Sequence, residues 1–531
     1  MIEIYDTTLR DGSQREGLSL TVQDKLRIAR RLDAFGVAFI EGGWPGSNPK
    51  DRAFFERAAD VEWEHARLAA FGATCRANTP AHDDPSMIAL TGARTAVTTL
   101  FGKSSVSHVR HVLRTSLDEN LRMIEDSCAY LQSHGKTVIY DAEHFFDGFV
   151  EDAIYALETL KAAQRGGAEV VVLCETNGGG LPWIVGETTA QVCAALDIKV
   201  GVHAHNDTEC AVANTLAAVR SGARHVQGTI NGYGERCGNA NLCSIIANLE
   251  LKLDTRCLPS GKLRDLSELA RFVSEVANLS PDEHLAYVGR SAFAHKGGVH
   301  VAALRRHASA YQHIEPELVG NTKRVVVSEL SGRANVLTRA EELGVELEGA
   351  EAALVLAIKE GESKGISYEA AEASVALLIE RRARDYTPLF RVIDYQALVA
   401  SRAQAATVVE ATVKVRVGQR EFHTAAQGNG PVSALDAALR KALDPVYPEI
   451  AAIHLSDYKV RILDGTHATR ATTRVLIDSS DEERAWSTVG ASANIIEASF
   501  VALVDGIEYG LRARGIVARN APPMPSQGDP S

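Results

Sequence analysis

The chain lacks any apolar run of transmembrane length, any C-x-x-C pair, any block of basic residues, and any Gly-rich dinucleotide fingerprint after its first strand. Each absence excludes something. No membrane-spanning helix is expected, and the N-terminus enters a strand at once without a signal-peptide pattern. Eight scattered cysteines point to reduced thiols in a cytoplasm rather than to a disulfide scaffold or zinc ribbon. A net charge of -12 with no compensating basic block argues against nucleic-acid and membrane-surface partners. Anionic small molecules stay open, because local charge in a cleft outweighs the total. The missing fingerprint counts against a doubly wound dinucleotide-binding sheet.

What is present is an ordinary globular composition over 531 residues, long enough for about two to four domains. Short apolar runs alternate with amphipathic stretches as far as residue 253. The strands read as Glu3–Thr7, Ala38–Gly42, Leu68–Gly72, Ala96–Phe101, Thr137–Ala142, Val170–Cys174, Lys199–Ala204 and Val226–Ile230. Helical patterns lie between most of them, among them Val22–Phe35, Leu117–Ser133, Glu151–Gln164 and Cys210–Arg220. The pattern predicts an α/β fold, a (β/α)8 TIM barrel over 1–253 with its active site at the C-terminal ends of the strands. Residues 254–390 read as a helical linker subdomain without strand patterning, with a boundary near Pro388 to Tyr395. Residues 400–512 mix alternating strands (Val408–Val417, Lys459–Leu463, Thr472–Ile477) with helices (Val432–Leu443, Ser492–Arg512), a separate C-terminal α+β domain. Residues 520–531, rich in Pro, Ser and Gly, read as a disordered tail.

Strand seven ends in His203-Ala204-His205-Asn206-Asp207. Residues two apart in a strand share a face, so both imidazoles point one way and suit a divalent metal. The plainer alternative is two histidines that pack or hydrogen-bond at a loop. Strand one runs into Asp6 to Gly12 (DTTLRDG), and strand eight into Asn231 to Asn239 (NGYGERCGN). In a closed barrel strand eight lies between seven and one, so Asp11, His203, His205 and Asn239 can converge. Such a mixed O/N shell leaves positions open for a bidentate 2-oxo acid. Mn²⁺ or Mg²⁺ suits its oxygens, and Zn²⁺ tolerates its histidines. Arg10 is placed to polarise a substrate ketone, with a barrel-mouth salt bridge as its alternative. Glu143 and Thr176, ending strands five and six, can manage a proton and hold a carboxylate; Asp141, His144 and Glu175 stand near enough to share those assignments. Glu235 and Arg236 read as an ion pair fixing the Gly-rich loop.

These three stretches resemble the 2-isopropylmalate synthase and homocitrate synthase family, metal-dependent Claisen-condensing barrels. Gly428 to Val432 (GNGPV) and Ala493 to Ala498 (ANIIEA) resemble that family's C-terminal regulatory domain. Trp44 to Lys50 and Phe101 to Ser104 look more like its citramalate-forming members than its isopropylmalate-forming ones. Ser13 and the run Tyr140 to Glu143 depart from the usual pattern beside the 2-oxo-acid pocket. The resemblance implies condensation of acetyl-CoA with pyruvate and thioester hydrolysis to (R)-citramalate and CoA, in a route to isoleucine. The alternatives are isopropylmalate synthesis from 2-oxoisovalerate, a metal-dependent aldolase or lyase, or a catalytically silent sensor. It also implies a homodimer with isoleucine as effector, and catalytic roles for His300, which follows Gly297-Gly298-Val299, and for Tyr311. Leu100, Tyr140 and residues near Phe71 are the candidates for filling the pocket against larger substrates.

Overall fold

The structure is a computed structural model and describes residues 1–307, 309–401, 407–463 and 471–520. The expected tail from residue 521 onward lies outside the described residues. By its internal contacts the chain divides into two units, Met1–Phe293 with Ile314–Lys323, and Ala294–His313 with Arg324–Ser531. Residues 254–390 are thus shared between both.

The first unit is a closed parallel barrel of β1 (Glu3–Asp6), β2 (Phe39–Gly43), β3 (Arg67–Ala73), β4 (Val97–Lys103), β5 (Thr137–Glu143), β6 (Val170–Glu175), β7 (Lys199–Ala204) and β8 (His225–Gly228), with β8 pairing back on β1. The strands read as apolar runs because both faces are buried. Tyr5, Phe39, Ala69, Val97, Ile139, Val170, Val172 and Cys174 fill the barrel. Their outward neighbours, such as Ile4, Ile40, Leu100, Tyr140 and Leu173, join the helices in a larger core. The helix Val22–Phe35 starts at a capping box in which Thr21 and Asp24 exchange hydrogen bonds. The expected helix at Glu151–Gln164 is two helices, Phe145–Glu151 and Ala153–Arg165. Asp152, at φ -155, breaks the run and its side chain accepts from the Tyr155 amide as a new N-cap.

The second unit holds β9 (Ala294–His295) and β10 (Arg324–Val325), a short parallel pair where no strand was expected. The helices Arg333–Glu342, Glu351–Ser363 and Glu372–Glu380 follow. Two three-stranded antiparallel sheets come next, each followed by a helix. The first is β11 (Arg391–Ala400), β12 (Val408–Val417) and β13 (Arg420–Gln427) with Pro431–Leu443; the second is β14 (His454–Ile462), β15 (Thr473–Ser480) and β16 (Ala485–Ser492) with Ile495–Ala513. One core, including Val413, Leu439, Ile477 and Leu503, joins them. Strand β11 begins inside the expected boundary, and β13 and β16 were not anticipated. Their pairing to β12 and β15 gives them strand structure that their mixed local patterns do not announce.

Candidate active site

The site is assembled from loops at the C-terminal ends of the barrel strands. The turn after β1 is held by Asp6, whose carboxylate accepts from Thr8 N at 3.0 Å and Thr8 Oγ1 at 2.8 Å. Burial pushes the Asp6 carboxyl up to about 7. Thr8 Oγ1 in turn accepts from Ile230 N at 2.9 Å, stitching this turn to the one after β8. The β8 loop then folds back on β7: Ala240 N donates to Ala204 O at 2.8 Å, and Asn206 N to Gly238 O at 2.9 Å. Gly238 permits this return, since at φ +94 a Cβ would lie 2.1 Å from Gly232 O.

The return brings Asn239 to the expected cluster. Ligand-capable atoms of Asp11, His203 and His205 all lie within 4.8 Å of one another. His203 Nε2 is 3.2 Å from Asp11 Oδ2 and 3.3 Å from His205 Nε2, while Asn239 Nδ2 donates to Asp11 Oδ2 at 2.6 Å. All four side chains are buried, and Asn239 Oδ1 and His205 Nδ1 have no partner among the described residues. Burial would raise the Asp11 carboxyl, but the Arg10 guanidinium and the two imidazoles hold it well below the usual carboxylate range. Burial also pushes His205 down to about 4, aided by the neighbouring His203. Burial would lower His203 as well, but the adjacent Asp11 carboxylate and the charge of Asp141 together hold it above its ordinary value.

Arg10 leans over the Phe71 ring, 3.8 Å from its centroid, with Nη1 3.0 Å from Asp11 Oδ1. It is held there by Glu41, a fully buried carboxylate on β2 that also accepts from Thr7 Oγ1 and, at 2.7 Å, from Tyr5 Oη. Sequence reading missed Glu41; the available signal was a lone carboxylate inside an otherwise apolar strand. The mouth of the site carries Glu143, paired with Lys103. Thr176 Oγ1 accepts from His144 N at 2.9 Å. Glu175 turns instead to Gly179 N, and burial raises its carboxyl. The expected Glu235–Arg236 pair is a secondary contact at 3.9 Å. Arg236 is chiefly gripped by Asp207, through Nε at 2.8 Å and Nη2 at 2.9 Å.

A cavity of about 240 Å³ opens over the cluster. Its apolar wall is Trp44, Phe71 and Phe101, with the two phenylalanines stacked at 5.3 Å and the indole edge-on to both. Leu100 and Tyr140 do not line it. They pair across β4 and β5 on the outward phase, fully buried against the helices, while Phe101 and Asp141, one residue on, pair on the inward phase. A strand buried on both faces carries no alternation from which that phase can be read. His300 and Tyr311 belong to the second unit, where their rings stack at 4.1 Å and both side chains are exposed.

Residues 1–273 match the HMGL-like family, 287–364 the homocitrate synthase post-HMGL domain-like family, and 369–511 the LeuA allosteric (dimerisation) domain. The (R)-citramalate synthase of Synechocystis sp. is 52% identical over 96% of both chains. That of Geobacter sulfurreducens is 50% identical over 96% of this chain and 98% of the relative. The chain belongs to the (R)-citramalate synthase family. A probable 2-isopropylmalate synthase of Methanopyrus kandleri, covering 97% of this chain, is more distant at 32% identity. The citramalate synthase relatives align with both units, barrel and C-terminal sheets alike.

Proposed function

We infer that the chain condenses acetyl-CoA with pyruvate and hydrolyses the resulting thioester to (R)-citramalate and CoA. The observation that carries this is the convergence of Asp11, His203, His205 and Asn239 beside Arg10, beneath an aromatic wall, in a chain about half identical to citramalate synthases. The donor set fits a divalent ion, Mn²⁺ or Mg²⁺ with Zn²⁺ tolerated: one carboxylate, two imidazoles, and a buried amide whose oxygen lacks a partner. Such an ion would supply Lewis-acid polarisation of the 2-oxo acid's ketone.

The chain's own groups do the rest. Arg10, locked by Glu41, holds its guanidinium where charge develops on the ketone oxygen. Thr176 offers a hydroxyl to the substrate carboxylate, and Glu143, beside Lys103, manages a proton at the mouth. A base takes a methyl proton from acetyl-CoA, the role that the family resemblance implies for His300 with Tyr311; the carbanion forms the new C–C bond to the ketone carbon, whose oxygen gains a proton. Water then displaces the thiol at the thioester carbon. The acid demands close positioning as well as a base, since the methyl group is only weakly acidic. The stacked wall of Trp44, Phe71 and Phe101 restricts the 2-oxo acid to a methyl side chain, which disfavours 2-oxoisovalerate.

In the same reading the enzyme is a cytoplasmic homodimer in isoleucine biosynthesis, with isoleucine as effector of the C-terminal sheets. The dimerisation-domain match and the free state of all eight cysteines support it. Among the described residues no helix is long and apolar enough to cross a membrane. The test is coupled thiol release from acetyl-CoA across a panel of 2-oxo acids. Pyruvate is expected to give the highest kcat/KM; equal or better turnover of 2-oxoisovalerate would move the assignment to isopropylmalate synthesis.

A further inference from the structure

One buried amide at the site is unused by the reaction above. Gln227 lies on β8, fully buried, between His203 and Asp141. Its Nε2 donates to Asp141 Oδ1 at 2.9 Å, and its Oε1 accepts from His203 Nδ1 at 2.9 Å. The three residues come from β5, β8 and the end of β7, and all face the barrel interior.

We propose that Gln227 is the positioning residue that sets the tautomer of His203, with Asp141 setting the direction of the Gln227 amide. This rests on the metal-dependent reading of the site. An amide can be turned end for end, which swaps its donor and acceptor. A carboxylate oxygen only accepts, so Asp141 draws the amide nitrogen and leaves the amide oxygen facing His203. An acceptor at that point requires the proton of a neutral imidazole to reside on Nδ1. The lone pair is then on Nε2, the atom 3.2 Å from Asp11 Oδ2 and 3.3 Å from His205 Nε2. Were the amide reversed, its NH₂ would face Nδ1, the proton would move to Nε2, and the cluster would lose one donor. Partners that orient a metal-binding histidine in this way are commonly worth 10- to 100-fold in metal affinity.

The experiment is a Mn²⁺ titration of the full-length protein, followed by the EPR signal of the free ion, with circular dichroism to confirm folding. Gln227→Leu keeps the volume and removes both hydrogen bonds; its Mn²⁺ affinity should fall about 10- to 100-fold. Gln227→Glu can share one proton with Asp141 and still offer an acceptor to His203, so it should bind close to wild type. A merely space-filling role predicts the opposite order, because leucine matches the volume without adding charge. Asp141→Asn leaves Gln227 in place and removes what directs it, and should weaken Mn²⁺ binding even if Gln227→Leu fails to fold. Wild-type affinity in either Gln227→Leu or Asp141→Asn overturns the relay. Wild-type protein that binds no Mn²⁺, Mg²⁺ or Zn²⁺ overturns the metal reading itself, and the relay with it.

Discussion

Asn239 and Asp11, 228 residues apart in the chain, meet in a 2.6 Å hydrogen bond from Nδ2 to Oδ2. That contact closes the ring of β7, β8 and β1 around one point, with His203 and His205 on its other side. The first prediction follows from it. His203→Ala should lose the divalent ion and nearly all condensation activity while the barrel stays folded, because side chains at a barrel mouth carry little of the core packing. Equilibrium dialysis, activity and circular dichroism on one preparation check all three. Full metal content with full activity would remove His203 from the ligand set.

The aromatic wall yields the second. Phe101→Ala removes the ring stacked on Phe71 and touched by the Trp44 edge. Apolar pockets discriminate one methylene by about 10- to 200-fold, so the kcat/KM ratio of 2-oxoisovalerate to pyruvate should rise at least about tenfold. Leu100→Ala is the contrast. It faces the helices, so it should lower stability by about 2–5 kcal/mol and leave the ratio unchanged. A ratio that moves with Leu100 rather than Phe101 would place the specificity wall elsewhere.

At the opposite end of the barrel, the third prediction concerns acid stability. Hydrogen bonding to His225, opposed in part by burial and reinforced by Lys199 at 2.6 Å, lowers the Glu3 carboxyl from 4.5 to about 2. A carboxylate lowered on folding stabilises the folded state above its unfolded value and loses that contribution as pH falls toward the folded one. Glu3→Gln should therefore be less stable than wild type at neutral pH by about 1 kcal/mol, a modest figure for a solvent-screened pair. The difference should shrink as pH drops from 4.5 to about 2. Thermal melts across that range test it; a pH-independent gap would assign the loss to packing.

The fourth concerns the second unit. Titrating the intact enzyme with isoleucine, leucine and valine should show inhibition by isoleucine, with a coupling of about 1–3 kcal/mol between effector and substrate binding. An intact chain is needed, because truncation near residue 390 would cut into the start of β11 and its core. If none of the three binds or inhibits at millimolar levels, the sheets serve dimerisation alone.

The sequence by itself determined the barrel and the cluster of Asp11, His203, His205 and Asn239. Doubly buried strands of four to seven residues stand out as apolar runs between amphipathic helices, and closure of eight such units places strands seven, eight and one side by side. A His-x-His repeat matches the two-residue period of a strand, so it survives any uncertainty in the element ends. Only the tertiary structure decided that Phe101 and Asp141, not Leu100 and Tyr140, face the cavity, because a strand buried on both faces has no polar phase to betray its orientation. The same holds for Glu41 behind Arg10 and for Gln227 between His203 and Asp141. Their roles lie in hydrogen bonds to residues on other strands, such as the 86-residue separation of Gln227 from Asp141. Strands β13 and β16 became strands through pairing with β12 and β15. Local pattern records which residues are buried; which buried residues meet is settled by the closure of the barrel and the register of its strands.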